Sequence, residues 1–311
     1  MVDYRDLNAI TIKDKYLVLL MTTLVEQVAG AKIFKKLNFK SGFNLIHIAK
    51  GDEWKTAFTC RYGLFEYMVM PFGLSNAPAT FQRYINDFLR EYIDRGIVVY
   101  IDDIMMYTET LEEHMKLVRW VLERLAEKHL CINLEKSEFH VPEVMFCGYV
   151  VGQTGVKMAE NKVKEILEWL TPRNKKEVQS FLGFTNFYQW FFMNYSKAVR
   201  PMTKLTGERV LWNWTEECTD ALETLKRAFA QRPILASFKP DRQKMIETDA
   251  SDLEIRAVLS QLEPTKKWHP LEYNSWRFQP AELNYDIHDK EMVVIVSYFK
   301  EWRHWLIGCP H

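Results

Sequence analysis

Two adjacent aspartates, Asp102 and Asp103, lie within Gly96-Ile-Val-Val-Tyr-Ile-Asp-Asp-Ile-Met-Met-Tyr107. Apolar, β-prone runs flank them on both sides, which predicts a hairpin with the two carboxylates at its turn. Asp-Asp is a poor hairpin turn beside Asn-Gly, and two like charges side by side repel unless a cation joins them. Mg2+ takes oxygen ligands and favours carboxylates shared with phosphate groups. Two such ions can activate a hydroxyl nucleophile and stabilise a departing phosphate. An isolated pair of aspartates equally suits a solvated acidic turn, so the surrounding sequence has to decide.

The elements that would hold this turn are legible in outline. Residues 1–150 alternate short β-rich runs with amphipathic helices joined by Gly- and Pro-containing turns. Leu111 to Leu130 gives the clearest helix, opened by a capping box of Thr110 and Glu113 and carrying Leu111, Met115, Val118, Leu122 and Leu125 at helical spacing. Residues 156–209 read as helical and basic, with ten Lys and Arg against five Glu. Lys175 and Lys176 open a helix bearing Val178, Phe181, Leu182 and Phe184. A polar, Pro-containing stretch at Arg232–Gln243 marks a boundary. Beyond it come strands at Met245–Thr248 and Ile255–Leu262, then a helix from about Asp289 to Ile307.

Bulk properties exclude little. The 311 residues suffice for two domains, and 48% hydrophobic with 26% charged residues is ordinary for a globular chain. Lys plus Arg and Asp plus Glu both number 41, against the basic excess usual in nucleic-acid binders, although an acidic metal site can offset a basic groove. Cys60, Cys131, Cys147, Cys218 and Cys309 lie far apart with no C-x-x-C pair, which argues for reduced thiols and no structural zinc. No apolar run is long enough to span a membrane, and the N-terminus is charged where a signal peptide would be apolar. An intracellular protein, cytoplasmic or nuclear and without membrane contact, is expected.

Context decides the aspartate pair. Tyr100-Ile101-Asp102-Asp103 resembles the Y-x-D-D box of reverse transcriptases. In order around it stand Val2-Asp-Tyr-Arg-Asp-Leu-Asn8, Phe34-Lys-Lys-Leu-Asn-Phe-Lys-Ser-Gly-Phe43, Gly51-Asp-Glu-Trp-Lys-Thr-Ala-Phe58, Tyr67-Met-Val-Met-Pro-Phe-Gly-Leu-Ser-Asn-Ala-Pro-Ala-Thr-Phe-Gln82 and Asn133-Leu-Glu-Lys-Ser-Glu-Phe-His140. Phe181-Leu-Gly-Phe-Thr-Asn-Phe-Tyr188 and Glu247-Thr-Asp-Ala-Ser251 continue the series. Each resembles the matching block of the pol polyprotein of gypsy-type long-terminal-repeat retrotransposons, and the resemblance covers essentially the whole chain.

The resemblance implies an α+β fold. It would comprise a right-hand polymerase of palm, fingers and thumb, then a connection and a truncated ribonuclease H-like α/β domain. The divisions would be 1–152 for fingers and palm, 153–238 for thumb and connection, and 239–311 for partial ribonuclease H. It implies RNA-directed DNA polymerase activity with Mg2+ or Mn2+, on an RNA or DNA template with primer and deoxynucleoside triphosphates. The protease and integrase of the same polyprotein are implied partners. Asp102 and Asp103 become metal carboxylates, and Arg5 meets the triphosphate. Phe43 excludes a ribose 2′-hydroxyl. Phe72 to Gln82 lines the nucleotide and template side, Lys136 contacts phosphate, and Phe146, Gly148 and Tyr149 grip the primer. In the ribonuclease H part, Asp249 and Glu291 match two of four metal carboxylates; Asp252, Asp286 and Asp289 read as turn or cap residues. The other two carboxylates would fall after His311, and a further fingers segment would precede Val2. Ribonuclease H activity is therefore not expected, and an uncovered sheet edge and helix face would invite aggregation.

Departures from the family pattern matter as much. Where the third metal aspartate is expected stands Asn38, which removes a full negative charge from a site for two dications and predicts impaired polymerisation. Tyr16-Leu-Val-Leu-Leu20, Leu170, Gln189-Trp190, Arg256 and Trp276 also depart. Pro→Leu, Arg→Trp, Arg→Gln, Gly→Arg and Asp→Asn each need one cytosine-to-thymine change, the damage that some hosts, notably fungi, impose on repeated elements. Losing basic residues at 189 and 190 would weaken the hold on template–primer. Arg256, inside an apolar strand, would destabilise the second domain if buried unpaired. Two other readings fit the same residues: a non-catalytic nucleic-acid-binding remnant, or an inactive fragment that neither folds nor binds.

Overall fold

The computed structural model describes residues 2–16, 27–28, 30–231, 234–250, 254–279 and 281–310, so Leu17–Leu20 and Asp252 lie outside the described residues. The chain divides into two compact units, Met1–Cys147 and Gly148–His311.

The first unit contains, in chain order, α1 (Arg5–Ile10), β1 (Ile33–Asn38), β2 (Phe58–Cys60), β3 (Gly63–Phe65), α2 (Ala77–Phe88), β4 (Ile97–Tyr100), β5 (Asp103–Thr108), α3 (Leu111–Glu127), β6 (Glu138–Val141) and β7 (Glu143–Phe146). Four strands form an antiparallel sheet in the order β4-β5-β1-β6. Pro78 sits in the first turn of α2, where a missing N–H leaves no helical bond unmade. Leu37, Ile97, Val99, Ile104 and Met106 from the sheet pack with Phe81 and Ile85 of α2 and Leu117, Val121 and Leu125 of α3. Burying such side chains contributes about 1.5–3 kcal/mol each relative to leaving them in water, so this core fixes the sheet on which the aspartate hairpin rests.

Helix α3 begins where expected, with the Thr110 hydroxyl accepting from the Glu113 N–H at 3.3 Å. Its buried face, however, is a correction. Leu111, Met115 and Leu122 are exposed, and His114, Leu117, Val118, Val121 and Leu125 point inward. A histidine counts as polar when a helix is phased by its apolar residues, and here it is fully buried, which rotates the inward face by one position.

His114 belongs to an unusual buried group. Its Nδ1 lies 3.0 Å from the Thr108 hydroxyl, the exposed His140 ring meets it edge-on at 5.2 Å, and Lys35, also buried, has its ammonium 3.9 Å from the Phe139 ring centre. Desolvation, then the nearby His140 and Lys35, push the His114 imidazole down to about 4. Desolvation likewise lowers the Lys35 ammonium to about 8. An unfolded histidine binds its proton near 6.5, so below that pH the unfolded chain takes up a proton that the folded chain refuses. The stability held above pH 6.5 is then lost as pH falls toward 4. We expect chemical denaturation at pH 4.5 to show roughly 2–3 kcal/mol less stability than at pH 7.5 from this group. His114→Gln should remove that part of the slope.

The second unit contains β8 (Tyr149–Gly152), β9 (Gly155–Met158), α4 (Glu160–Leu167), α5 (Lys175–Asn186), α6 (Tyr195–Leu205), α7 (Glu216–Ala230), β10 (Lys244–Ala250), β11 (Glu254–Leu262), β12 (Trp268–Arg277), α8 (Ile287–Glu301) and α9 (Arg303–Leu306). Asn174 caps α5 by accepting from the Glu177 N–H at 3.0 Å, so Lys175 and Lys176 open that helix as the sequence indicates. Val178, Phe181 and Thr185 form its buried face, with Leu182 and Phe184 only half-buried.

Strands β10-β11-β12 form an antiparallel sheet, and β12 was not visible in the sequence. Its Trp-His-Pro-Leu-Glu start lacks clean alternation. Pro270 is tolerated because β12 is an edge strand, and the register slips beside it, with Leu259 opposite Glu272 and Ser260 opposite Pro270. The condition under which Arg256 would destabilise the second domain, burial without a partner, is not met. Arg256 stands opposite Asp249 in the ladder, is exposed, and pairs with the Asp249 carboxylate while donating to Asn194 Oδ1 at 3.0 Å.

Candidate active site

The hairpin forms with a displaced turn. Tyr100 pairs with Asp103, so the two-residue loop is Ile101-Asp102 and Asp103 is the first residue of β5. Ile101 carries a φ of 50°, a left-handed conformation that β-branched residues avoid and that something nearby has to enforce. On the other side of β5, the ladder sets Asn38 of β1 directly opposite Asp103. Past the end of β1, the Phe39 N–H donates to the Asp102 carbonyl at 2.9 Å. The chain then reverses through Ser41, at φ 64°, into a short helical turn at Gly42–Leu45.

That reversal places Gly42 against the Asp102 carboxylate. A Cβ at Gly42 would stand 2.8 Å from the Asp102 carboxyl carbon and closer still to Oδ1, so any side chain there would displace the carboxylate. Gly42 was not singled out from sequence. Its only signal was its place in the Phe34–Phe43 block. Next to it, Phe43 packs edge-on against Phe81 at 5.6 Å and tilts against Phe72 at 5.2 Å. Phe72 itself is exposed.

The electrostatics of the turn are unbalanced. Asp102 Oδ1 is buried without a hydrogen-bond partner. Burial, then the charge of Asp103, push the Asp102 carboxyl above the usual carboxylate range, while Lys136 pulls it partly back. Asn38 donates through Nδ2 to Asp103 Oδ1 at 2.8 Å. A carboxylate can only accept, so the amide turns its nitrogen, not its oxygen, toward Asp103. An orphaned carboxylate oxygen beside a second carboxylate suits a cation. Asn38 offers that cation no oxygen in this arrangement. Among the described residues, no group of three or more His, Cys, Asp or Glu side chains gathers as a metal site. The thiol of Cys147, also beside Asp103, is pushed far up by burial and by that charge.

The remaining candidates are dispersed. Arg5, on α1, is exposed and forked onto Asp3 with bonds of 2.6–3.0 Å. Helix α1 is docked by Asn8, which donates to the Gly73 carbonyl at 2.7 Å and accepts from the Ser75 N–H at 2.8 Å. It thereby holds the loop that carries Phe72. Lys136 ends a short helical turn, exposed and within electrostatic reach of Asp102. Gln82, expected on the nucleotide side, is instead buried and bonded to the backbone of the hairpin.

Phe146 is fully buried in the first unit. In the second unit, Gly148 has a φ of 82° and the Tyr188 hydroxyl lies 2.8 Å from where its Cβ would be. Tyr149 is buried against Phe187, Tyr188 and Phe191 and donates its O–H to the Phe187 carbonyl at 2.7 Å. Both aromatic side chains are covered. Asp249 lies on β10, held by Arg256, and a carboxylate engaged by a guanidinium does not suit a cation as well. Glu291 stands in the first turns of α8, and Asp286 caps that helix by accepting from the His288 N–H at 2.8 Å. No helix among the described residues is long and apolar enough to cross a membrane.

Comparison with known proteins agrees with this architecture. Residues 1–185 match the family "Reverse transcriptase (RNA-dependent DNA polymerase)" and residues 214–311 the "RNase H-like domain found in reverse transcriptase". The Tf2-3 and Tf2-7 transposon polyproteins of Schizosaccharomyces pombe are 40% and 39% identical over 305 residues, 98% of this chain, and the chain spans 23% of their length. A foamy viral protease-reverse transcriptase solved in complex with double-stranded DNA superposes with a TM-score of 0.85 at 28% identity, over 99% of this chain and 54% of that one. The same kind of protein with an RNA/DNA hybrid gives 0.83 at 28% identity, over 100% of this chain and 42% of that one. The chain belongs to the reverse transcriptases of gypsy-type long-terminal-repeat retrotransposon polyproteins, with an RNase H-like domain following the polymerase region.

Proposed function

We propose that this chain is an RNA-directed DNA polymerase module whose metal-holding centre is weakened by Asn38. The observation that supports it is the buried, unpartnered Asp102 oxygen beside Asp103, with Asn38 opposite. Asp102 and Asp103 would hold Mg2+ or Mn2+, which when bound would neutralise triphosphate charge and acidify a primer 3′-hydroxyl. Arg5 would fork onto triphosphate oxygens, a contact for which its present partner, Asp3, competes. Phe43, braced by Phe81 and Phe72, would present a flat wall where a ribose 2′-hydroxyl would clash. Lys136 would add positive charge on the phosphate path.

The partner would be a primer–template duplex, in keeping with the foamy viral proteins solved on double-stranded DNA and RNA/DNA hybrid. Residues up to 152 would serve as fingers and palm, 153–238 as thumb and connection, and 239–311 as an RNase H-like domain. Asp249 and Glu291 would be metal carboxylates of that domain, the former neutralised by Arg256. A second reading, duplex binding without extension, is favoured by the Asn38 amide, which gives Asp103 a neutral partner in place of a cation.

Fluorescence anisotropy with an RNA/DNA hybrid distinguishes these from an inert fragment. Binding should weaken at least about tenfold between 50 and 200 mM salt, as phosphate contacts require. Salt-independent or undetectable binding would sink both readings. Primer extension on poly-rA/oligo-dT then separates a polymerase from a binder.

A further inference from the structure

The left-handed Ile101 needs an external restraint, and helix α2 supplies it. Gln82 is 1% exposed and both ends of its amide are engaged. Oε1 accepts the Ile101 N–H at 2.7 Å, and Nε2 donates to the Val99 carbonyl at 3.0 Å and to Asn86 Oδ1 at 3.0 Å. The two backbone groups flank Tyr100, so one side chain spans the last residue of β4 and the first residue of the turn. Without Gln82, a part-buried N–H and a buried C=O at the tightest point of the hairpin would lose their partner.

We propose that Gln82 is a positioning residue for nucleotidyl transfer: it fixes Ile101 in its left-handed conformation and so aims the Asp102 carboxylate at the site beside Gly42 and Asp103. The role rests on the polymerase reading given above. It differs from packing, because both hydrogen-bonding ends of the amide are needed. A carboxylate in the same place could accept from Ile101 but not donate to Val99, and it would add a third negative charge to a hairpin bearing Asp102 and Asp103. A carboxylic acid restores the donor.

The test is amide hydrogen exchange on the full chain, compared with wild type at each pH, together with Mn2+ affinity by electron paramagnetic resonance. Gln82→Leu should speed exchange across 100–103 at least tenfold and weaken Mn2+ binding at least fivefold, with α3 unchanged. Gln82→Glu should show the same loss at pH 8 and recover protection at pH 5. Unchanged exchange in Gln82→Leu, or a pH-independent loss in Gln82→Glu, overturns the role. If Gln82→Leu does not fold, the pH response of Gln82→Glu alone decides. In the Asn38→Asp background, Gln82→Leu should lower kcat with little change in KM for the nucleotide. Failure of Asn38→Asp itself to extend a primer would count against the polymerase reading, while the exchange data still report on Gln82.

Discussion

Asn38→Asp should raise primer extension on poly-rA/oligo-dT at least about 100-fold over the wild-type chain, the scale on which enzymes lose rate when one preorganised charge-stabilising group is removed. The present amide satisfies Asp103 with a 2.8 Å hydrogen bond and leaves no oxygen facing the carboxylates. An aspartate there would stand opposite Asp103 in the same ladder and bring three carboxylates together. Without metal, the revertant should therefore be less stable than wild type, because a hydrogen bond becomes a like-charge contact. Mg2+ or Mn2+ should reverse the order, since a ligand that binds only the folded state stabilises it by mass action. The paired measurement is thermal melting with and without metal, beside extension rates. Equal rates for the two chains, or a revertant whose melting ignores metal, would show that residue 38 does not hold a cation.

The second large effect is expected from one methyl group. Gly42→Ala places a Cβ where the Asp102 carboxylate now lies, 2.8 Å from its carboxyl carbon. The Asp102 carbonyl accepts from Phe39 and the turn is bonded to Gln82, so the backbone of Asp102 is held and the displacement falls on its side chain or on the facing loop. Either Asp102 or the Gly42–Leu45 turn must shift by the order of an ångström, and displacements of that size cost reactions roughly 100-fold when they misplace a reacting group. In the Asn38→Asp background, Gly42→Ala should therefore lower extension by about that factor while hybrid affinity stays within twofold. If extension is unaffected, the Asp102 carboxylate is not where the chemistry happens. The comparison isolates geometry from charge, since alanine adds none.

How much of this was readable beforehand varies with what held each part in place. The hairpin was legible because two β-prone runs bracket the aspartates, and the place of Asn38 beside them followed from motif order. The turn was misplaced by one residue because local propensity disfavours isoleucine at positive φ. Gln82, nineteen positions upstream, accepts the Ile101 N–H there. Sequence patterns carry no record of such a tertiary bond, and for the same reason Gln82 read as a groove residue. The inward face of α3 was misjudged because a buried histidine looks polar in a hydrophobic pattern. Strand β12 escaped because an edge strand can bear proline and a register slip, so it lacks the alternation by which inner strands are found. Whether Arg256 would be a liability turned on which face of β11 looks outward, and it is the outward one, where Asp249 pairs with it. The two-residue repeat of a strand leaves that choice open.

Cys147, half-buried and with its thiol pushed up beside Asp103, has a consequence for handling the protein. The thiolate is the reactive species, so oxidants and alkylating reagents meet the exposed Cys60 and Cys131 well before the sulfur next to the carboxylates. Maleimide dyes or spin labels can accordingly be attached at the surface thiols with the aspartate hairpin left chemically untouched.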